Sequence, residues 1–215
     1  AAILEAAVAA GLAPPVVHLD PAVGVLVTEG VAAPPLTGER RRTATLLRNL
    51  AATLRRIHAL PATTDAFYHP GAWALAVLEA AVDAGAPVPR DALAEARALA
   101  EVPLRRDVLC HNDLNPDNLL LGQRIWVLDW EFAAAGDPRT DLVGLAESLG
   151  LDREERALLF DAYGLPPLAP RDETALRRAH HLARYAWALA MLARGRVTAE
   201  IRGQLERSRL ALGYG

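Results

Sequence analysis

The sequence predicts an α+β protein in which a short β-containing segment leads through a hinge into a mainly helical lobe. Three observations predict this class. β-Branched runs occur early, at Val16–Leu19 and Gly24–Glu29, and a Pro- and Gly-rich stretch over residues 30–35 follows them as a linker. Beyond this linker most apolar residues recur at helical spacing. Beyond the linker, short strands are expected only in the middle of the chain, where β-branched and apolar runs return.

Each predicted element rests on its spacing and on the residues that end it. Gly11 is placed to end the first helix, Asp20-Pro21 to turn the hairpin, and Gly122-Gln123 to join the last two strands. In chain order we expect a helix over residues 1–10, the two hairpin strands, one helix that ends near His58, and two further helices over about 72–84 and 90–100. Three strands should follow at Val108–His111, Asn118–Leu121 and Ile125–Asp129. The rest of the chain should be helical, at about 138–149, 153–163, 172–194 and 198–211.

Composition and charge exclude several classes of protein. The 215 residues are 52% apolar and 23% charged, which is typical of a folded globular chain. A net charge of −3 argues against a nucleic-acid binder. One cysteine excludes an internal disulfide framework, and no apolar run reaches the ~18 residues of a membrane helix. We therefore expect a cytoplasmic protein that binds neither nucleic acid nor membrane.

The polar residues concentrate in one stretch, LCHNDLNPDNLLLGQRIWVLDWE over residues 109–131. Strand alternation predicts that Asp129 and Glu131 share a side, as do His111 and Asp113. The turn at Asn115-Pro116 is expected to return Asn118 toward them. Carboxylate and amide oxygens of this kind suit Mg²⁺, and a carboxylate without metal could orient or deprotonate a hydroxyl nucleophile.

This stretch also allows two simpler interpretations. Asp113 and Asn118 could merely build a turn, since Asn, Asp and Pro are turn residues. That interpretation explains Asp129 poorly, because a carboxylate after Trp126-Val127-Leu128 is costly to bury without a partner. A cysteine-protease dyad at Cys110-His111 fails, because neighbouring strand residues point in opposite directions.

The motif HNDLNPDN, with LDWE following sixteen residues after its Asp, resembles the aminoglycoside phosphotransferase and choline kinase superfamily. The segment GDPRTDL over residues 136–142 is most similar to its bacterial choline kinase and thiamine kinase branches. The resemblance implies a protein-kinase-like fold, with residues 1–31 as a remnant of the N-terminal lobe and hinge and residues 32–215 as the helical C-terminal catalytic lobe. It implies an ATP- and Mg²⁺-dependent kinase that phosphorylates a hydroxyl of a small molecule.

The resemblance also implies a role for each matching residue. Asp113 matches the catalytic Asp, and His111 the histidine that supports the catalytic turn. Asn118 and Asp129 match the Mg²⁺ ligands, with Glu131 near a second metal or the substrate. The nucleotide base would lie against the hinge at Thr28, Glu29 and Val31.

The substrate class follows from a late helix. The segment ARYAWALAMLAR resembles the helix that cages a quaternary ammonium through cation–π contact, which implies substrate contacts for Tyr185 and Trp187. The expected substrates are choline, ethanolamine or thiamine. An aminoglycoside is the alternative acceptor.

The chain departs from the family in its basic residues. All 23 are arginine, so the strand-borne lysine of the family is absent. We expect either that the sequence begins inside a longer protein or that it forms a degenerate kinase-like lobe without activity. An isolated lobe would expose apolar surface, through which a homodimer is expected to form.

Overall fold

The computed structural model describes residues 2–36 and 43–214, and the chain forms two compact units. The first unit combines Ala1–Phe67 with Arg106–Pro167, and the second combines Tyr68–Arg105 with Leu168–Gly215. This division differs from the lobe boundary expected near residue 31, which stays a prediction.

Helices and short strands agree closely with the sequence prediction, apart from one extra strand. In chain order they are α1 (Ala2–Ala9), β1 (Val16–Asp20), β2 (Val25–Thr28), α2 (Ala44–His58), α3 (Pro70–Asp83), α4 (Arg90–Ala100), β3 (Val108–Cys110), β4 (Leu119–Leu121), β5 (Ile125–Val127), β6 (Ala134–Gly136), α5 (Pro138–Ser148), α6 (Arg153–Tyr163), α7 (Pro170–Ala193) and α8 (Ala199–Leu212). Among the described residues, the first unit holds the six strands together with α1, α2, α5 and α6.

The extra strand, β6, is made of small residues that carry little strand propensity. It pairs antiparallel with β3, with Cys110 opposite Ala134. A Cβ on Gly136 would lie 3.0 Å from the Cys110 sulfur. Glycine is therefore favoured at position 136 by the Cys110 side chain that lies against it, a long-range contact that strand propensity does not encode.

Helix α2 forms the apolar wall of the first unit. The Thr43 side chain accepts a hydrogen bond from the Leu46 N–H and caps the helix at its N-terminus. One side of α2 packs against α6 and α5. Its apolar residues recur at helical spacing and are at most 1% exposed: Leu47, Leu50, Leu54 and Ile57.

Strands β4 and β5 form a two-stranded antiparallel ribbon, with Leu119 opposite Val127. The segment after the hinge runs along the free edge of β4. The Leu36 N–H donates to the Leu119 carbonyl at 2.7 Å, and the Leu121 N–H donates to the Pro34 carbonyl at 2.9 Å. The ribbon is thus tied to the hinge at one edge, and its open end carries Asn118 and Asp129.

The β1–β2 hairpin exposes apolar side chains on its strands and turn. Leu19 lies opposite Leu26 in the pairing. The side chains of Val17 and Val23 are 65% and 69% exposed. Exposed β-branched residues at this density are unusual for a surface hairpin.

The second unit is a helical layer built on α7. Helix α7 packs against α3 and α8, and α4 packs against α3. The core is formed by apolar residues from all four helices, among them Leu78, Leu99, Leu182 and Leu212. Within residues 2–36 and 43–214, no helix is both long enough and apolar enough to cross a bilayer.

Gly71 is required where α3 meets α4. A Cβ at this position would lie 2.6 Å from the backbone carbon of Leu99 and 2.8 Å from the Ala100 nitrogen. We expect Gly71→Ala to lower the free energy of unfolding by about 1–3 kcal/mol, since backbone atoms cannot rotate away. Urea denaturation checks this, with exposed Ala76→Ser in the same helix as the control. An unchanged midpoint for Gly71→Ala would contradict the close approach of the two helices.

Candidate active site

The catalytic-loop candidate begins where β3 ends, at Cys110. His111 is fully buried, and its Nε2–H donates to the Leu128 carbonyl at 2.9 Å while its Nδ1 accepts from the Asp113 N–H at 3.3 Å. Burial lowers the pKa of His111, and nearby Asp141 opposes that change. The neutral ring therefore ties the loop to the end of β5.

Asp141 anchors the same loop from α5. Its carboxylate is buried and accepts the N–H groups of His111 and Asn112, each at 2.8 Å. The Nε2 of His58 lies 3.1 Å from the same carboxylate, and the Tyr163 hydroxyl lies 2.7 Å from the Nδ1 of His58. Burial favours neutral Asp141, but its contacts with His58 and His111 outweigh burial and lower its pKa.

Asp113 and Asn118 meet across a tight turn. A short 3₁₀ turn covers Pro116–Asn118, and the Asn115 side chain caps it by accepting the Asp117 and Asn118 N–H groups. The Asn118 amide nitrogen lies 3.0 Å from Asp113 Oδ2, and that of Asn115 lies 3.3 Å from the same oxygen. The turn thus returns Asn118 to Asp113 as expected, and both amides orient the carboxylate.

The expectation that strand alternation aligns these residues is wrong at both places. Strand β3 ends before His111, and β5 ends at Val127. Asn112 and Asp129 then adopt left-handed backbone conformations, with φ of 67° and 61°. A left-handed residue breaks the two-residue alternation of a strand, so the direction of each carboxylate is set by loop geometry instead.

Three carboxylates interact in this region. Asp113 is half-buried, whereas Asp129 and Glu131 are exposed. Partial desolvation raises the pKa of Glu131 although much of the residue is exposed, and the charges of Asp129 and Asp113 raise it further. Carboxylate and amide oxygens are hard donors of the kind that Mg²⁺ prefers, so the donor chemistry of Asn118, Asp129 and Glu131 fits this ion.

The residues predicted to bind the nucleotide base lie at the end of β2 and directly after it. Glu29 and Val31 line a pocket of about 350 Å³, together with Trp126 of β5. The Arg124 guanidinium stacks on the Trp126 ring at 4.2 Å. Thr28 ends β2 next to this pocket without lining it. The pocket lies at the turn end of the β4–β5 ribbon, about 10 Å along the strands from the acidic end.

The predicted substrate residues lie on α7 in the second unit. Tyr185 is 5% exposed, and its ring contacts Tyr214 edge to face at 5.6 Å. Trp187 is half-buried. Tyr185 thus belongs to the core of its own unit, and the substrate contacts of both residues stay predictions.

Sequence reasoning missed three residues that hold the site. His58 and Tyr163 lie far from the motif in sequence, and only the fold brings His58 to Asp141 and Tyr163 to His58. Asn112 lies within the HNDLNPDN motif, but the sequence pattern did not predict a role for it. Its position beside a carboxylate and its tolerance of left-handed conformations were the available signals.

Comparison with known proteins gives the family. The chain matches the phosphotransferase enzyme family over residues 1–197. The chain belongs to this family. The resemblance to this superfamily predicted from the sequence is thereby confirmed, and the predicted α+β kinase-like fold is confirmed by the solved structures described next.

Solved structures agree with this assignment. A choline/ethanolamine kinase family protein from Mesorhizobium loti superposes with a TM-score of 0.77 and 26% identity, covering 100% of this chain and 79% of that one. The choline kinase LicA of Streptococcus pneumoniae superposes with a TM-score of 0.80 and 19% identity, covering 99% and 78%. A LicA structure in complex with AMP gives a TM-score of 0.77 at 19% identity, covering 99% and 77%.

A shorter match is found among curated sequences. Protein LicA of Haemophilus influenzae is 34% identical over 64 residues, which is 28% of this chain and 19% of that protein. The matched segment therefore spans about a fifth of that curated relative.

Proposed function

We propose that this protein transfers the γ-phosphoryl group of ATP to a hydroxyl of a small amine-bearing metabolite of the choline, ethanolamine or thiamine class. The observation that carries the proposal is the contact between Asn118 and Asp113 at 3.0 Å. It brings a metal ligand against a carboxylate that can receive a proton. The likeness to choline kinases supports the acceptor class.

In the proposed reaction, Asp113 orients the acceptor hydroxyl and receives its proton. The hydroxyl oxygen forms a bond to the γ-phosphorus, and the bond from that phosphorus to the β,γ-bridging oxygen breaks. The products are a phosphomonoester and ADP. The amides of Asn115 and Asn118 hold the Asp113 carboxylate in place through Oδ2, so little reorganisation is needed before transfer.

Asn118, Asp129 and Glu131 would hold Mg²⁺. When bound, the ion neutralises phosphate charge and orients the leaving group. The Asn118 amide nitrogen faces Asp113, which turns its carbonyl oxygen away from that carboxylate. The raised pKa of Glu131, caused by burial and then by Asp129 and Asp113, supports a cation at this position.

The nucleotide base is proposed to lie at the hinge, near Thr28, Glu29 and Val31. The pocket lined by Glu29 and Val31 supports this location. Its distance of about 10 Å from the acidic end of the ribbon suits an extended nucleotide triphosphate. Tyr185 and Trp187 are proposed to contact the acceptor. There are two alternatives. The acceptor could be an aminoglycoside, or the chain could be a kinase-like lobe that binds nucleotide without turnover.

We also propose a cellular location and an oligomeric state. We place the protein in the cytoplasm, where ATP and small amine alcohols are available. We also propose that it forms a homodimer through the exposed apolar side chains of the β1–β2 hairpin. Sedimentation at several concentrations tests this, and a monomer throughout would contradict it.

Asp129→Ala tests the metal site. The variant is expected to lose about 10–100-fold in Mg²⁺-dependent affinity for nucleotide, because a charged ligand is removed. Asp129→Asn tolerates the left-handed φ of 61° and separates lost charge from lost backbone geometry. Fluorescence titration with an ATP analogue, with and without Mg²⁺, measures the effect. Nucleotide binding that is insensitive to Mg²⁺ in the unaltered protein would contradict the proposed function.

A further inference from the structure

Asn112 and Asp129 share an unusual backbone feature. They are the two non-glycine residues with positive φ among the described residues, at 67° and 61°. Left-handed backbone costs energy in residues with a Cβ, and Asn and Asp tolerate it best. Conformations of this kind persist where the surrounding structure holds them, and they cluster at functional sites. Here they lie on the two segments that carry the carboxylates.

The Asn112 side chain joins these two segments. Its Nδ2 donates to the Phe132 carbonyl at 2.9 Å and, at 3.4 Å, to the Cys110 carbonyl. Its backbone N–H donates to the Asp141 carboxylate at 2.8 Å. One residue is therefore fixed to α5 through its backbone and to the segment after Asp129 through its side chain.

The orientation of the amide supports a specific role for the donor. The Asn112 Oδ1 is buried and has no hydrogen-bond partner, which is normally unfavourable. Turning the amide over would place this oxygen against the carbonyl oxygens of Phe132 and Cys110 instead. The structure therefore keeps the donor on Phe132 and leaves the acceptor unpaired.

We infer that Asn112 is a positioning residue that holds the segment from Asp129 to Phe132, and with it the carboxylates of Asp129 and Glu131, in register with Asp113. The inference rests on the proposed function, because it concerns how the metal ligands are aligned. Phe132 follows Glu131 directly, so a bond to its carbonyl restrains both carboxylates. Groups that orient metal ligands without touching the metal typically contribute about 10–100-fold in metal affinity or activity.

Two substitutions separate this role from the backbone conformation. Asn112→Gly accepts the left-handed φ but removes the bond to Phe132, whereas Asn112→Ala removes the bond and adds backbone strain. We expect both variants to need about tenfold more Mg²⁺ for half-maximal binding of a fluorescent ATP analogue. Only Asn112→Ala should also show a clearly lower Tm. The midpoint of the Mg²⁺ titration is read without turnover.

Asn49→Gly is the control for general loss of stability. Asn49 is exposed on α2 in the same unit, and a helix glycine lowers stability without touching the site. Its Mg²⁺ midpoint should equal that of the unaltered protein. An unaltered midpoint in Asn112→Gly would overturn the inference and reduce Asn112 to a backbone role, and Asn112→Ala decides the question if the glycine variant does not fold. If the unaltered protein binds nucleotide without Mg²⁺ dependence, the proposed function itself fails.

Discussion

Replacing Asp113 with alanine is expected to lower kcat by about 10³-fold while leaving nucleotide affinity within about threefold. The reason is that Asp113 receives the hydroxyl proton but is not among the proposed metal ligands. The carboxylate is oriented by the amides of Asn115 and Asn118. Removing it therefore deletes the base and leaves the nucleotide contacts intact. Steady-state ADP release and equilibrium titration with an ATP analogue measure the two quantities.

Asp113→Asn is the matched control for shape. Its single side-chain oxygen can still accept from Asn115 and Asn118, so the loop keeps its hydrogen bonds. The amide cannot act as a base at neutral pH, and we expect the same loss of kcat as in the alanine variant. Equal losses of turnover and of nucleotide binding would instead identify Asp113 as a metal ligand.

The largest expected effect on stability comes from Asp141→Ala. The substitution leaves the N–H groups of His111 and Asn112 and the ring of His58 without their acceptor in a buried site. Removing one partner of a buried polar pair costs about 3–5 kcal/mol in the free energy of unfolding. Because the catalytic loop is held by these bonds, kcat should fall as well.

Asp161→Ala provides the control for Asp141→Ala. Asp161 is exposed on α6 in the same unit, and its loss should change the free energy of unfolding by no more than about 0.5 kcal/mol. A similarly small change for Asp141→Ala would show that the loop does not depend on this anchor.

The stability of the protein at acid pH should also depend on the Asp141 carboxylate. The pKa of Asp141 is lowered because its contacts with His58 and His111 outweigh the effect of burial. A carboxyl whose pKa is lower in the folded state stabilises the fold above its ordinary value of 3.8, and this contribution is lost as the pH falls through the folded pKa. Asp141→Asn should therefore show a smaller fall in Tm between pH 5 and pH 3 than the unaltered protein, at about the same ionic strength.

The helices, strands and turns of this fold could be predicted because each is indicated by residues that are close together in the sequence. The β-branched run that ends near Thr28 predicted its strand, and Gly11 ended the first helix with a φ of 64°. Asn115 and Pro116 predicted the turn that returns Asn118 to Asp113, because Asn caps such turns through its own side chain.

Long-range geometry could not be predicted in the same way. Strand β6 pairs with β3, and its Gly136 lies against the Cys110 side chain, a contact between distant segments that propensity does not encode. Strand alternation failed at Asp129 because its left-handed backbone is held by the fold and not by its own preference. His58 lies 83 residues from Asp141, so its role as a partner is visible only in three dimensions.

ADP release from Mg·ATP, measured with choline, ethanolamine, thiamine and an aminoglycoside as acceptors and beside the Asp113→Ala variant, tests the proposed phosphoryl transfer most directly. We predict release that depends on one of the three amine alcohols and is lost in the variant. Release stimulated only by the aminoglycoside would replace the proposed acceptor. Release from none of the four acceptors, or equal release from the variant, would contradict the assignment of this chain as a kinase that uses Asp113.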